Sequence, residues 1–118
     1  IMTNGSTASN NGYFFDFTFD NCSDLCFEEY IQEVDKRKLY TTGVDLLPSD
    51  KLLTLCTCTY EFNDARLIVI ARMVREGESS VVDTDLAEYK SSPVKYPDSY
   101  YDNVRNNPYK DDPKFYLY

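Results

Sequence analysis

The sequence predicts a mainly β domain with one flanking helix. Three stretches carry that reading. Residues 12–20 alternate, with Phe15, Phe17 and Phe19 on one face and Phe14, Asp16 and Thr18 on the other. Period two is the mark of a strand. Residues 24–38 place apolar side chains at helical spacing. Residues 51–74 hold two runs rich in Leu, Ile, Val and Thr, split by a polar segment with Asn63 and Asp64. That pattern reads as two strands joined by a loop.

Taken in order, Ile1–Asn11 is mostly Asn, Ser, Thr and Gly, which predicts a loop or frayed terminus. The aromatic face of residues 12–20 is expected in the core, against the helix or against Leu53 and Leu55. Ser23 or Asp24 offers an N-cap. Phe27, Tyr30, Ile31 and Val34 then form one helical face, and Glu28, Glu29, Gln32, Glu33 and Asp35 are expected to face water. Lys36, Arg37 and Lys38 gather where the helix dipole favours cations. Thr41-Thr42-Gly43 is expected to end the helix, with Gly43 in the left-handed position. Pro48-Ser49-Asp50 is a turn into the hairpin. Past Arg75 the serines and glycine mark loops, with a short extended piece at Val81–Asp85. Residues 97–104 predict a short helix with Pro97 in its first turn. Residues 106–118 read as an irregular tail after a domain spanning 1–105, its tyrosines packing on the domain surface. No internal repeat is evident.

At 118 residues the chain is one domain at most. A net charge of −8 argues against nucleic-acid binding and against attachment to anionic lipid. No apolar run reaches the roughly 18 residues of a membrane span, and no signal peptide is recognisable. A chain that opens on Ile1 reads as a processed or truncated product. Four cysteines stand at 22, 26, 56 and 58, and there is no histidine. Cys-x3-Cys and Cys-x-Cys are not the usual zinc-knuckle spacings, so no metal and no cofactor is expected. The chain is too poor in cysteine for a disulfide framework. Cys22 and Cys26, around the helix start, read as packing or spectator thiols.

The hairpin carries the chemistry. A loop symmetric about Phe62 sets Cys58 opposite Arg66, Cys56 opposite Ile68 and Thr54 opposite Ile70. Opposed residues of an antiparallel pair share a face, with Cβ atoms about 4.5–5.5 Å apart. A thiol and a guanidinium would then meet at the hairpin end. Cysteine attacks as its thiolate, which a nearby cation favours. Guanidinium gives up no proton at ordinary pH, but it can donate hydrogen bonds to a carbonyl or an oxyanion. The pair suggests acyl transfer. Histidine is the usual group that protonates a departing amine, and the chain has none. On the residues alone, Cys56 and Cys58 also read as two small buried hydrophobes.

At this point the sequence resembles a family. Thr54-Leu55-Cys56-Thr57-Cys58, with Arg66 opening the next strand, is similar to the Thr-Leu-x-Thr-Cys…Arg signature of sortases. Lys38–Gly43, Asp50–Phe62 and Ala65-Arg66 resemble class B sortases in particular. So do Val74–Ser79, Val82–Thr84, Lys95–Pro97 and Tyr100–Asp102. The similarity covers roughly 24–102. The resemblance implies that Cys58 is the nucleophile, Arg66 the catalytic arginine and the Thr59 N–H a second oxyanion donor. Thr57 and Cys56 would border the substrate. The family's usual residue at position 56 is Ser, so Cys56 places a second thiol beside the first.

The implied fold is part of an antiparallel β-barrel with the helix packed outside it. The implied reaction is cleavage of a sorting signal, a thioacyl-enzyme at Cys58, and transfer to an amine on peptidoglycan or a pilin. The implied location is the outer side of the plasma membrane. On this reading the chain is the C-terminal part of a catalytic domain. The histidine-bearing half and the membrane anchor would lie outside it, and a missing N-terminal segment or a second chain would cover its edges. Two other functions are open on the sequence. One is a non-catalytic sortase-like surface interaction domain. The other is a Cys-x-Cys oxidoreductase, for which the two thiols stand near the outer limit for a bridge.

Overall fold

The computed structural model describes residues 1–5, 15–17, 24–102, 104 and 106–115. Seven helices and strands follow one another among them: β1 (Met2–Asn4), α1 (Asp24–Arg37), β2 (Tyr40–Thr41), β3 (Leu52–Cys58), β4 (Ala65–Arg72), β5 (Glu88–Tyr89) and α2 (Asp98–Tyr101). A single 3-10 turn, Thr84–Leu86, precedes β5. The strands make a three-stranded antiparallel sheet in the order β1-β4-β3 and a small β2-β5 pair. The architecture is mainly antiparallel β, and no closed barrel forms among the described residues.

The β3–β4 hairpin has the register expected of it. Cys58 faces Arg66, Cys56 faces Ile68 and Thr54 faces Ile70. One side of this sheet is covered over part of its length. Phe15 and the fully buried Tyr30 form a cluster there with Phe17, Ile31, Val34, Leu52, Ile70 and Phe115 around it. The Tyr30 hydroxyl donates to the Phe17 carbonyl at 2.9 Å. Burial pushes its pKa up to about 12. Among the described residues the other side is covered only near β1, where Met2, Phe62 and Ala65 meet Tyr96 and Tyr100. Leu53, Leu55 and Val69 stay exposed on that side. Phe15 and Phe17 thus pack with the helix and the Leu52–Ile70 side, not with Leu53 and Leu55.

Several expectations are corrected. The start of the chain is not frayed, since Met2–Asn4 is a buried strand paired with Leu67–Ala65. Composition hid it, because Thr3 and Asn4 look like loop residues yet are buried. Of the aromatic stretch 12–20 only 15–17 are described, and they carry no strand. Phe14, Phe19, Cys22 and Ser23 lie outside the described residues. Glu33 does not face water. It is buried with Arg37, which donates to its carboxylate and carbonyl and lies 4.1 Å over the Phe15 ring. Burial alone would raise the Glu33 pKa, but hydrogen bonds from Lys36 and Arg37 win and lower it. Cys26 is not a spectator thiol; it is disulfide-bonded. Gly43 is not a left-handed helix cap. The helix stops at Arg37, and Gly43 is a close-approach site where a Cβ would collide with Leu86. Thr41 belongs to β2 instead. The segment 81–85 is not a strand; a 3-10 turn begins within it, at Thr84. Pro97 caps α2 from just outside rather than sitting in its first turn.

A charged clamp closes the end of the hairpin remote from Cys58. Arg75 donates to both Asp50 oxygens at 2.7 Å and to Asp45 at 3.0 Å. Arg72 makes a two-point contact with Glu78 at 2.7 Å. The hydrogen bonds from Arg75 hold Asp50 down to about 2, and those from Arg72 do the same for Glu78. Their ordinary values are 3.8 and 4.5. A depressed carboxylate stabilises the fold above its unfolded pKa and loses that contribution as pH falls through the folded one.

Two outcomes follow from this packing. In urea, Ile68→Ala should cost about 2–5 kcal/mol, since Ile68 is 2% exposed. Leu53→Ala, at a site 59% exposed, should cost under about 1 kcal/mol. A stability profile in acid should fall between about pH 4.5 and 2, and the double variant Asp50→Asn, Glu78→Gln should flatten that fall.

Candidate functional site

Cys58 is the last residue of β3 and Arg66 the second of β4, so the loop 59–64 decides how they meet. The loop is anchored at its middle. Phe62 is buried, and its ring meets Tyr100 edge-on at 5.9 Å. Asp64 adopts a left-handed φ of 55°, which Asp tolerates better than most residues. The Ala65 N–H donates to the Phe62 carbonyl at 3.3 Å and closes the turn.

The strand β1 and helix α2 hold this loop from behind. The Gly5 N–H donates to the Asp64 carbonyl at 2.9 Å. The Asn4 side-chain amide donates to the Asn63 carbonyl at 3.3 Å and to the Ser99 hydroxyl at 2.7 Å. Asn4 and Ser99 are both buried, so these bonds form away from water.

Arg66 is half-buried and already engaged. Its Nη2 lies 3.1 Å from Asp64 Oδ1, and Nη1 donates to the Ala65 carbonyl at 2.9 Å. Gly5 leaves room for it: a Cβ at Gly5 would stand 2.5 Å from the guanidinium carbon. A larger residue there would have to push the Arg66 and Asp64 side-chain ends aside, a steric effect independent of backbone strain.

The thiols are open by contrast. Cys56 and Cys58 are free and exposed on one face of β3. That overturns the alternative of two buried hydrophobes. Among the described residues the Cys58 thiol takes part in no hydrogen bond or ion pair. The Thr59 N–H is spent on the Ala65 carbonyl at 3.2 Å, the same carbonyl that accepts from Arg66. Thr57 stands opposite Leu67, so its side chain lies on the face away from Cys58. Cys56 shares the face of Cys58. The hairpin therefore brings together Cys56, Cys58 and Arg66, and not the Thr57 side chain.

No group of three or more His, Cys, Asp or Glu residues able to hold a metal occurs among the described residues. A concavity of about 680 Å³ lies elsewhere, lined by Val44, Ile70, Val74, Val82 and Leu86 among others; neither Cys58 nor Arg66 borders it. No helix among the described residues is long and apolar enough to cross a membrane.

Comparison with known proteins adds one relationship. A stretch of 64 residues is 30% identical to Sortase B of Listeria monocytogenes. The similarity is to a sortase. It covers 52% of this chain and 25% of the relative, so it is partial on both sides. No family model matches the chain, and no solved structure matches it.

Sequence reasoning found the thiols and the arginine but missed the residues that position them. Asn4, Gly5 and Ser99 come from segments far away in the chain. Their only local sign was a small or polar residue with no apolar pattern around it. Asp64 was recognisable as a loop residue, but its ion pair with Arg66 was not.

The left-handed conformation gives a test. Asp64→Ala and Asp64→Gly both delete the carboxylate. Only alanine keeps a Cβ that resists positive φ, so the glycine variant should be the more stable by about 1 kcal/mol in denaturant melts. Equal stability would mean the loop relaxes out of that conformation.

Proposed function

We propose that the chain is part of a class B sortase-like cysteine transpeptidase, with Cys58 as nucleophile and Arg66 as the residue that binds the developing oxyanion. The observation that carries this reading is the register pairing Cys58 with Arg66 on one face at the hairpin end. The partial similarity to Sortase B supports it. In this reading the Cys58 sulfur attacks the carbonyl at the cleavage point of an Asn-Pro-x-Thr-like sorting signal. The amine side departs with a proton, and the acyl group stays on sulfur as a thioester. An amine of peptidoglycan or of a pilin then attacks the thioester and restores the thiol.

Arg66 donates to the substrate oxygen with the part of its fork that Asp64 and Ala65 leave available. Asp64 keeps the guanidinium at the hairpin end. The Thr59 N–H joins as a donor only by loosening its bond to Ala65. Cys56 borders the acyl group, and Thr57 supports the substrate strand through its main chain alone. The chain has no histidine, so this reading calls for a different proton donor for the leaving amine. The chain would act on the outer face of the plasma membrane.

A second reading rests on one observation. Arg66 is already paired with Asp64, while the Cys58 thiol has no hydrogen-bond or ion-pair partner among the described residues. That fits a non-catalytic sortase-like surface domain whose arginine is a strand-end ion pair.

One variant separates the two. Lysine keeps the charge of Arg66 but loses the planar fork of donors. In the full gene product, Arg66→Lys should lower cleavage of an Asn-Pro-x-Thr peptide by about a hundredfold or more. Methanethiosulfonate should still label Cys58, and ahead of Cys56. Wild-type cleavage by the lysine variant, or an inert Cys58 beside a reactive Cys56, would defeat the transpeptidase assignment.

A further inference from the structure

The transpeptidase reading uses one thiol, but the hairpin presents two. Cys56 and Cys58 are both free, both exposed and both on the same face of β3. Cys26, in contrast, is in a disulfide. Disulfides persist in oxidising surroundings. Two neighbouring exposed thiols would need a physical reason to remain unpaired in such surroundings.

The strand geometry supplies it. Residues two apart on an extended strand have Cα atoms about 6.6 Å apart. Bridged cysteines mostly lie at about 5.5–6 Å, with an outer limit near 6.8 Å. The pair therefore sits at the edge of the range: the extended strand favours the dithiol, and a bridge pulls the strand end inward. Strained or exposed disulfides are the easily reduced ones, typical of labile and regulatory bonds.

The surroundings permit that movement. β3 is an edge strand of its sheet, paired on one side only among the described residues. Cys58 is its last residue, and beyond it one long ladder bond, from the Thr59 N–H to Ala65, precedes the loop. Contracting the strand between Cys56 and Cys58 disturbs the end of one ladder and no buried side chain of β3.

We infer that Cys56 is a resolving thiol, which captures oxidised Cys58 as a reversible disulfide and switches the hairpin site off under peroxide. The inference rests on Cys58 being the reactive thiol of the proposed function. The chemistry balances as follows. The Cys58 thiolate attacks hydrogen peroxide, the O–O bond breaks, and Cys58 becomes a sulfenic acid with release of hydroxide. The Cys56 thiol attacks that sulfur, the S–O bond breaks, and water leaves as the S–S bond forms. Two equivalents of a low-molecular-weight thiol reduce the bridge and are themselves oxidised to a disulfide. While bridged, Cys58 attacks no carbonyl. It is also kept from sulfinic acid, which thiols do not reverse.

The test treats the full chain, Cys56→Ser and Cys58→Ser with graded hydrogen peroxide. The readouts are dimedone trapping, peptide mass mapping and recovery of methanethiosulfonate labelling after dithiothreitol. Wild type should lose two hydrogens as a Cys56–Cys58 bridge, and dithiothreitol should restore its labelling. Cys56→Ser should accumulate dimedone-trapped and then sulfinic Cys58, at least about tenfold faster than wild type. Wild-type Cys58 passing to the sulfinic form as fast as in Cys56→Ser would overturn the inference. Comparing the single variants isolates the underlying reading. A bridge that forms while Cys58→Ser traps dimedone faster than Cys56→Ser sustains the disulfide and removes Cys58 as the favoured nucleophile.

Discussion

The antiparallel pairing of β3 with β4 sets almost everything described here. Side chains alternate along a strand, so a one-residue slip would move each to the opposite face. In the observed register the thiols of β3 share a face with Arg66, Ile68 and Ile70. That same face receives Tyr30 and Phe15 farther along. Core and candidate site are therefore two ends of one surface. The hydrophobic burial that fixes Ile68 and Ile70 also fixes which residue faces the guanidinium. The loop between the strands reinforces it, because Phe62 is buried against Tyr100 and cannot shift without losing that contact.

How the arginine is shared matters for the chemistry. A guanidinium has five donors in a fixed fork. Here Asp64 and the Ala65 carbonyl use part of that capacity, from a loop residue and a strand residue next to Arg66 itself. The arrangement holds the cation in place with short-range partners and leaves the adjoining thiol uncommitted. Position is supplied by the fold's own loop, while exposure is left to the cysteine.

The hairpin was legible in the sequence because both its signals are local. Apolar content marked the strands, and a loop symmetric about Phe62 gave the pairing. The helix was legible in outline, since Phe27, Tyr30, Ile31 and Val34 repeat at its period. Its buried stripe was not, because Glu33 and Arg37 are charged and pattern reading sends charges to water. They go inside by neutralising each other against the Phe15 ring. The strand Met2–Asn4 was illegible for a related reason. Asn4 is buried because Ser99 and Asn63 accept from it, and those partners lie far off in the chain. Composition cannot anticipate a buried residue whose side-chain amide donates to partners this far off in the chain. Gly5 and Gly43 were likewise opaque: each is approached closely by a side chain that is distant in sequence.

The Glu33–Arg37 pair has a consequence for how this gene can change. Losing Glu33 strands the Arg37 charge away from water, and losing Arg37 leaves the Glu33 carboxylate to Lys36 alone, whereas replacing both with apolar residues of similar size is often tolerated. The two codons are thus bound together by physics. A lineage crosses from the charged pair to an apolar one through a damaged intermediate, or by altering both at once. Variation at either position alone should be scarce among viable descendants, although neither residue touches the candidate site.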